Sequence, residues 1–327
     1  MEYVRLGRTG LQVSEISLGT MTFGNEADEA TSRALMERAV DAGINFFDSA
    51  HNYNKGATEE IVGRWLGPRR HDIIVTTKVF FPRGGGINDE GCSRRNILFS
   101  VEKTLQRLQS DYVDIVYLHH WDEHVPIEDS LGALHSLVEQ GKALYVGVSN
   151  FSAWQTMKAI AEARRHGYPP LVVTQPMYSL VKRQAEVEIF PLAAHEGLAV
   201  VPYNAIGAGL LTGKYLQEDA AGRLTEVAMY KLRYEKPEYI EITKRFVQYA
   251  REHGHEPAAL AVAWSLSHPL VDSAIVGARN LQQFDSILGA TGIRLTPEQR
   301  AEITALSIDP PLATDREPMD AMRQRGW

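Results

Sequence analysis

Short, strongly apolar runs recur along this chain, and most of them end in, or lead into, a polar side chain. INFFD ends in Asp48, IIVTTK in Lys78, VDIVYLH in His119, LVVTQ in Gln175 and LAVVPY in Tyr203, while LYVGV leads into Ser149 and Asn150. Runs of this length without polar alternation read as strands buried on both faces. The pattern predicts eight of them, at 16–19, 44–48, 73–77, 113–119, 144–148, 171–175, 198–203 and 272–276. Helical periodicity fills most of the gaps. It is clearest at 94–108, where Leu98, Val101, Leu105 and Leu108 share one face behind Ser93 as N-cap. Other helices are predicted near 30–42, 58–67, 128–140, 153–166, 185–196, 238–253 and 281–290.

Intervals of about 25–40 residues between the polar strand ends match one strand–helix repeat. Eight such repeats predict an α/β fold, a (β/α)8 TIM barrel, read as one domain over 1–327. In an open sheet the polar ends would spread over roughly 20 Å, at ~4.8 Å per strand; in a barrel they converge on one mouth. Residues 2–15 alternate around Arg8-Thr9-Gly10 and predict an N-terminal β-hairpin. Residues 207–236 form a long insertion between the seventh strand and its helix, a place suited to a lid or clamp. Pro202 falls inside the seventh strand, where it removes a ladder donor. The tail from Asp309 to Trp327 is proline-rich and charged.

Composition narrows the class without changing this picture. A length of 327 residues accommodates one barrel of about 250 residues with insertions. The net charge of -7 is spread along the chain and points away from a nucleic-acid or membrane surface. A single cysteine, Cys92, allows no internal disulfide and is consistent with a reducing cytoplasm. The N-terminus lacks a signal pattern, and no stretch approaches the ~18 apolar residues of a membrane span. A cytoplasmic protein acting on a small molecule is the expectation; the oligomeric state stays open.

Period two puts Ile74, Thr76 and Lys78 on one strand face, and Ile115, Tyr117 and His119 on another, with His120 pointing the other way. A lysine ending a buried strand needs a partner, and Asp48 on the neighbouring strand supplies one. Tyr53, five residues past Asp48, lies within reach of both. This set suits carbonyl reduction. A tyrosine protonates a developing alkoxide at neutral pH if its pKa falls from ~10 towards 7, about 4 kcal/mol of stabilisation that a nearby ammonium could largely provide. His119 would position the substrate oxygen. None of these groups carries a hydride, so a cofactor must. No metal is expected, since adjacent residues of the His119–His124 stretch point to opposite faces. The run Gly207–Tyr215 fails as a triphosphate loop because Ala208 stands at its first glycine and Tyr215 at its hydroxyl position. Met21, Phe23, Phe80, Phe81 and Trp121 follow strand ends and read either as pocket wall or as packing; Trp154 reads as helix packing.

The segments LGRTGLQVSEISLGTMTFG, INFFDSAHNYNKGATEEIVG, IIVTTK, DYVDIVYLHHWD, GKALYVGVSNF, QPMYSLVKR, LLTGKY and IVGARN together resemble the aldo-keto reductases, in order and spacing, over nearly the whole chain. The resemblance implies a barrel that binds NADP(H) extended across its mouth, and a catalytic quartet of Asp48, Tyr53, Lys78 and His119. It implies that Ser149, Asn150 and Gln175 bind the carboxamide and that Tyr203 stacks on the nicotinamide. The remaining implied cofactor contacts are Gly19, Thr20, Met21 and Asp48 at the first strand ends, and Asn204, Ala205, Ile206, Gly207 and Gly209 after the stacking tyrosine. Lys214 and Arg223 fall at the pyrophosphate, and Gly277, Ala278, Arg279 and Gln283 around the 2′-phosphate. The pattern is similar to a bacterial branch that also includes potassium-channel β subunits. It therefore implies a reductase of aldehydes or ketones, sugars included, with a cofactor-sensing regulatory subunit as the alternative. The adenosine end departs from the family: Asn204-Ala205-Ile206-Gly207 replaces the usual Ser-Pro-Leu-Gly, and Ser286 and Ile287 replace a Glu-Asn pair.

Overall fold

The apolar runs form strands wherever their backbone can pair, and the computed structural model describes them in a chain covering residues 1–327 except Arg83, Glu218 and 315–327. The expected tail beyond Thr314, Trp327 included, lies outside the described residues. Strands β1 (Tyr3–Arg5) and β2 (Gln12–Ser14) make the N-terminal hairpin, with Val4 opposite Val13. Eight parallel strands follow: β3 (Ile16–Gly19), β4 (Phe46–Asp48), β5 (Ile74–Val79), β6 (Val113–Leu118), β7 (Ala143–Ser149), β8 (Leu171–Gln175), β9 (Ala199–Val200) and β10 (Ala274–Val276). Their order is β10-β3-β4-β5-β6-β7-β8-β9. The two ends of that sheet meet. Asp272 N–H donates to Val200 O (2.9 Å), Ile275 N–H donates to Pro202 O (2.9 Å), and Tyr203 bridges Ile275. The fold is the expected (β/α)8 barrel. Regular pairing of the seventh barrel strand stops at Val200, and Pro202, lacking an N–H, contributes to the seam through its carbonyl alone.

The helices are α1 (Glu29–Asp41), α2 (Ala57–Leu66), α3 (Arg94–Leu108), α4 (Ile127–Glu139), α5 (Ala153–His166), α6 (Ile189–Glu196), α7 (Arg223–Glu226), α8 (Ala228–Tyr234), α9 (Pro237–Glu252), α10 (Pro257–Leu266), α11 (Leu281–Leu288) and α12 (Pro297–Thr304). Ser93 caps α3 by accepting from Asn96 N–H, and Ser152 with Gln155 forms a capping box on α5. Helices α10 and α12 were not expected from the pattern. In α10 every residue from Pro257 to Ser265 is buried, so it shows no amphipathic period for the sequence to reveal. The 207–236 insertion is built from short 3-10 turns and the two small helices α7 and α8. No helix among the described residues is long and apolar enough to cross a membrane.

Two apolar layers hold the barrel. Phe46, Ile74, Ile115, Tyr117, Val173, Ala199, Val201 and Ile275 fill its interior, and Leu6 and Val13 of the hairpin join the same cluster. A larger cluster lies between the sheet and the helices. Much of the interior is thereby apolar, and Asp48, Lys78 and Gln175 lie at or next to strand ends, where a site gathers at the mouth.

The β9–β10 seam carries a charge that the fold resists. Asp272 accepts from Val200 N–H at 2.7 Å, and burial pushes its carboxyl up to about 6. A folded pKa raised above the unfolded value of 3.8 means stability present at low pH is lost as pH rises through about 6. Asp272→Asn keeps an acceptor for Val200 and removes the charge. It should leave stability unchanged near pH 4 and raise it by about 1–2 kcal/mol at pH 8. Denaturant unfolding at the two pH values checks this; an equal effect at both would assign the change to packing instead.

Candidate active site

Alternation along the strands aims every second side chain inward, and the last inward positions are polar. Asp48 closes β4 and Lys78 lies one residue from the end of β5. The Lys78 ammonium is fully buried and uses all three donors: Asp48 Oδ2 at 2.6 Å, the Ser49 carbonyl at 2.7 Å and the Tyr53 hydroxyl oxygen at 3.2 Å. Asp48 Oδ1 accepts from Thr76 Oγ1 (3.0 Å) and Gln175 Nε2 (2.8 Å). The carboxylate is thus satisfied on both oxygens, which is what lets a charged pair persist inside a barrel.

Tyr53 stands at the start of a tight turn whose next three residues are left-handed: Asn54 (φ 46°), Lys55 (φ 57°) and Gly56 (φ 100°). For the two non-glycine residues such backbone costs on the order of 1–3 kcal/mol each, so neighbours must hold it. Asn54 Nδ2 donates to the Met21 and Phe23 carbonyls at 3.0 and 2.7 Å, tying the turn to the loop after β3. His119, just past β6, presents its ring edge-on to Tyr53, with centroids 6.2 Å apart. Phe81 packs edge-on against His119 at 4.8 Å, while His120 turns the other way, onto Phe80. Asp48, Tyr53, Lys78 and His119 therefore occupy one pocket.

Its electrostatics differ from the expectation in one respect. Loss of solvent pushes the Tyr53 phenol well above its usual range, with Asp48's negative charge adding to the shift. The expected fall towards neutrality is not seen, because loss of solvent dominates and Asp48 lies close enough to add to it. Burial pulls the Lys78 ammonium down, opposed by Asp48. Burial, then the neighbouring Lys78 charge, drives His119 well below its usual range and leaves it neutral at pH 7. His119 Nδ1 is buried with no hydrogen-bond partner among the described residues.

A hydrogen-bonded chain runs along one side of the pocket. Tyr203 Oη donates to Asn150 Oδ1 (2.6 Å), and Asn150 Nδ2 donates to Ser149 Oγ (3.1 Å) and the His119 carbonyl (2.9 Å). Ser149 Oγ donates to the Gln175 carbonyl (2.9 Å), and the Gln175 side chain ends the chain on Asp48. Asn150 reaches this position with φ 58°. Burial pushes the Tyr203 phenol up to about 12.

The remaining candidates ring the mouth. Thr20 is buried and donates to the Asp48 carbonyl, and Met21 is exposed beside Tyr230. Gly19 and Gly277 face each other across β3 and β10, where a Cβ on Gly277 would stand 3.1 Å from the Gly19 carbonyl. Ala278 accepts from Thr22 through its carbonyl. Asn204 (φ 69°) donates to Tyr234 Oη, and Gly207 and Gly209 continue in left-handed conformations around buried Ala205 and half-buried Ile206.

The cations expected at the cofactor clamp have partners within the protein. The Arg279 backbone N–H is not free: it donates to Gln283 Oε1 at 3.1 Å. Its guanidinium is paired with Glu26 at 2.8 Å, and the same carboxylate holds Arg223 at 2.6 Å. The Glu26 carboxylate between the two guanidiniums offsets their mutual repulsion. Lys214 Nζ rests 4.6 Å from the Tyr215 ring centroid and 3.4 Å from the Ala221 carbonyl.

Of the aromatic candidates, Phe23 is fully buried and packs in the outer core, so it is no pocket wall. Trp154 is 60% exposed and meets Trp121 edge-on at 5.3 Å, rather than packing beneath its helix. The sequence reading missed Glu26, which sits in a loop without periodicity, and Tyr230 and Tyr234 of the insertion. Tyr230 lies between the Arg223 and Arg233 guanidiniums, 5.5 and 5.7 Å from its ring centroid.

Comparison with known proteins agrees with this geometry. Residues 15–308 match the model of the family described as the Aldo/keto reductase family. The chain is 38% identical over 313 residues to "Uncharacterized oxidoreductase YrpG" of Bacillus subtilis (strain 168), covering 91% of this chain and 93% of that protein. It is 38% identical over 330 residues to "Probable voltage-gated potassium channel subunit beta" of Oryza sativa subsp. japonica, covering 96% and 99%. It is 32% identical over 327 residues to "Versiconal hemiacetal acetate reductase" of Aspergillus parasiticus, covering 91% and 95%.

Proposed function

The chain belongs to the aldo/keto reductase family, and from that premise we propose that it is an NADPH-dependent reductase of aldehydes or ketones in which Tyr53 is the proton donor. The observation that carries this reading is the Lys78 ammonium, bonded at once to the Asp48 carboxylate and the Tyr53 phenol oxygen. Because Lys78 donates to that oxygen, the phenol's own proton points elsewhere, towards a carbonyl in the pocket. A reduced nicotinamide, when bound, supplies the hydride.

The raised phenol makes Tyr53 a weaker acid but leaves it fully protonated in the resting site. Tyr53 keeps its proton through the neutral range, and a developing alkoxide, a stronger base than a phenolate, takes it. The phenolate left behind still receives the Lys78 hydrogen bond. Neutral His119 orients the substrate oxygen through a ring N–H, and the Phe81 edge keeps water from that side. Ser149, Asn150, Gln175 and Tyr203 are the residues to hold the nicotinamide. Lys214, Arg223 and Arg279 are the cations to hold the phosphates, Glu26 giving way as the anion they now share. We place the protein in the cytoplasm, as one domain over 1–327 acting on a small carbonyl compound.

Selectivity for NADPH is testable at the clamp. Arg279→Ala should weaken NADPH by about 10- to 100-fold, the worth of one charged hydrogen bond, and leave NADH nearly unchanged. Lys214→Ala should weaken both cofactors alike, since they share the pyrophosphate. Dissociation constants by fluorescence quenching decide it; equal losses of both cofactors in Arg279→Ala would remove the 2′-phosphate role.

The potassium-channel β subunit among the relatives favours a second reading, a cofactor-sensing regulatory subunit with little turnover. Steady-state oxidation of NADPH over a panel of aldehydes, ketones and sugars separates the two. Turnover on any of them supports the reductase; tight NADPH binding with none supports the sensor.

A further inference from the structure

The outer face of the barrel carries a second polar cluster, distinct from the pocket. Glu59, in the first turn of α2, is fully buried. Its Oε1 accepts from Thr77 Oγ1 on β5 (2.8 Å) and Thr104 Oγ1 on α3 (2.9 Å), and its Oε2 accepts from Arg107 on α3 at 3.2 Å. The same Arg107 Nη1 donates to the His51 carbonyl at 3.1 Å. Thr77 is the residue before Lys78, and His51 stands two residues before Tyr53. One buried carboxylate thus connects, through two donors, the strand that bears the ammonium and the loop that bears the phenol.

The contact is close as well as polar. A Cβ on Gly56 would stand 2.3 Å from Arg107 Cζ and 2.6 Å from its Nε, so the guanidinium lies directly against the glycine that ends the left-handed turn after Tyr53. That turn needs support: Asn54 ties it to the loop after β3, and Arg107 lies against Gly56 and bonds the His51 carbonyl before it.

We infer that Arg107, held by Glu59, is a positioning residue for Tyr53: it braces the Tyr53–Gly56 turn and thereby fixes the phenol against Lys78. The inference rests on the reading of Tyr53 as proton donor. Arg107 touches neither substrate nor cofactor and acts only through the turn. A solely structural ion pair would set stability without affecting the proton-transfer step.

Two variants test it. Arg107→Lys keeps a cation for Glu59 but replaces the flat guanidinium with a point charge. Gly56→Ala drives a methyl group into the guanidinium. Both should lower kcat by about tenfold or more, as small misplacements of a reacting group do, with NADPH affinity within about twofold of the parent. In both, the pH midpoint of alcohol oxidation, which reports the Tyr53 phenol, should move. In a Tyr53→Phe background, Arg107→Lys should change the residual rate by less than about twofold, because the group it positions is gone. Should Gly56→Ala fail to fold, Arg107→Lys carries the test alone. Unchanged kcat and pH midpoint in folded Arg107→Lys would overturn the inference, as would an equal loss with and without the Tyr53 hydroxyl. If Tyr53→Phe itself is fully active, the donor assignment has failed, and that outcome is separate from either result on Arg107.

Discussion

Tyr53→Phe should lose at least about 10²-fold in kcat while keeping its fold and its NADPH affinity, because the change removes the transferable proton and only one weak hydrogen-bond acceptor. Among the described residues the phenol oxygen accepts one hydrogen bond, from Lys78 at 3.2 Å, and Lys78 retains Asp48 and Ser49 as partners when that oxygen is gone. Neither the turn geometry nor the ion pair therefore depends on the hydroxyl. Single-turnover rates and cofactor dissociation constants measured on the same preparation separate chemistry from binding. Near-normal single-turnover reduction in the variant would show that the proton comes from another group.

Lys78→Met should abolish most activity and also destabilise the protein, by about 3 kcal/mol or more. The side chains of Lys78 and Asp48 are 0% and 4% exposed, so methionine fills the volume but leaves a buried carboxylate without its cation. Thr76 and Gln175 still donate to that carboxylate, which keeps the loss at the lower end for a broken buried pair. Protonation relieves an unpaired buried carboxylate, so the deficit should be smaller at pH 5 than at pH 8. Chemical denaturation at both values gives the answer. A variant as stable as the parent at pH 8 would mean that the pair contributes nothing to the fold.

The sequence discloses those parts of the molecule that repeat. Parallel strands buried on both faces leave continuous apolar runs, and a polar residue at the end of each run marks the mouth. Asp48, Lys78, His119, Gln175 and Tyr203 are legible for that reason. Helix α3 is predicted at its observed bounds because its buried face alternates with an exposed one and Ser93 caps it. Helix α10 escapes because burial on nearly all sides erases the period. Glu59 and Arg107 escape for another reason: an acid in a first helical turn and a base in a last one are what surface helices ordinarily carry, and only the packing of α2 on α3 buries the pair. The upward shift of Tyr53 was likewise out of reach. Its sign is set by how completely the fold removes the phenol from water, with Asp48 close by, and residue spacing shows neither. The pairing of Arg223 and Arg279 on Glu26 brings together two loops and the start of the short helix α7, far apart in the chain and without a periodic pattern.

If this pocket moves hydride and proton to a carbonyl, label on the nicotinamide must reach the product alcohol. The protein is incubated with NADPH deuterated at the transferable nicotinamide position and with a panel of aldehydes and ketones, and the products are examined by mass spectrometry. The parent protein should form an alcohol carrying one deuterium on the former carbonyl carbon, and Tyr53→Phe should lose that product in parallel with activity. NADPH bound tightly, with no deuterated alcohol from any carbonyl offered, would contradict hydride transfer in this pocket.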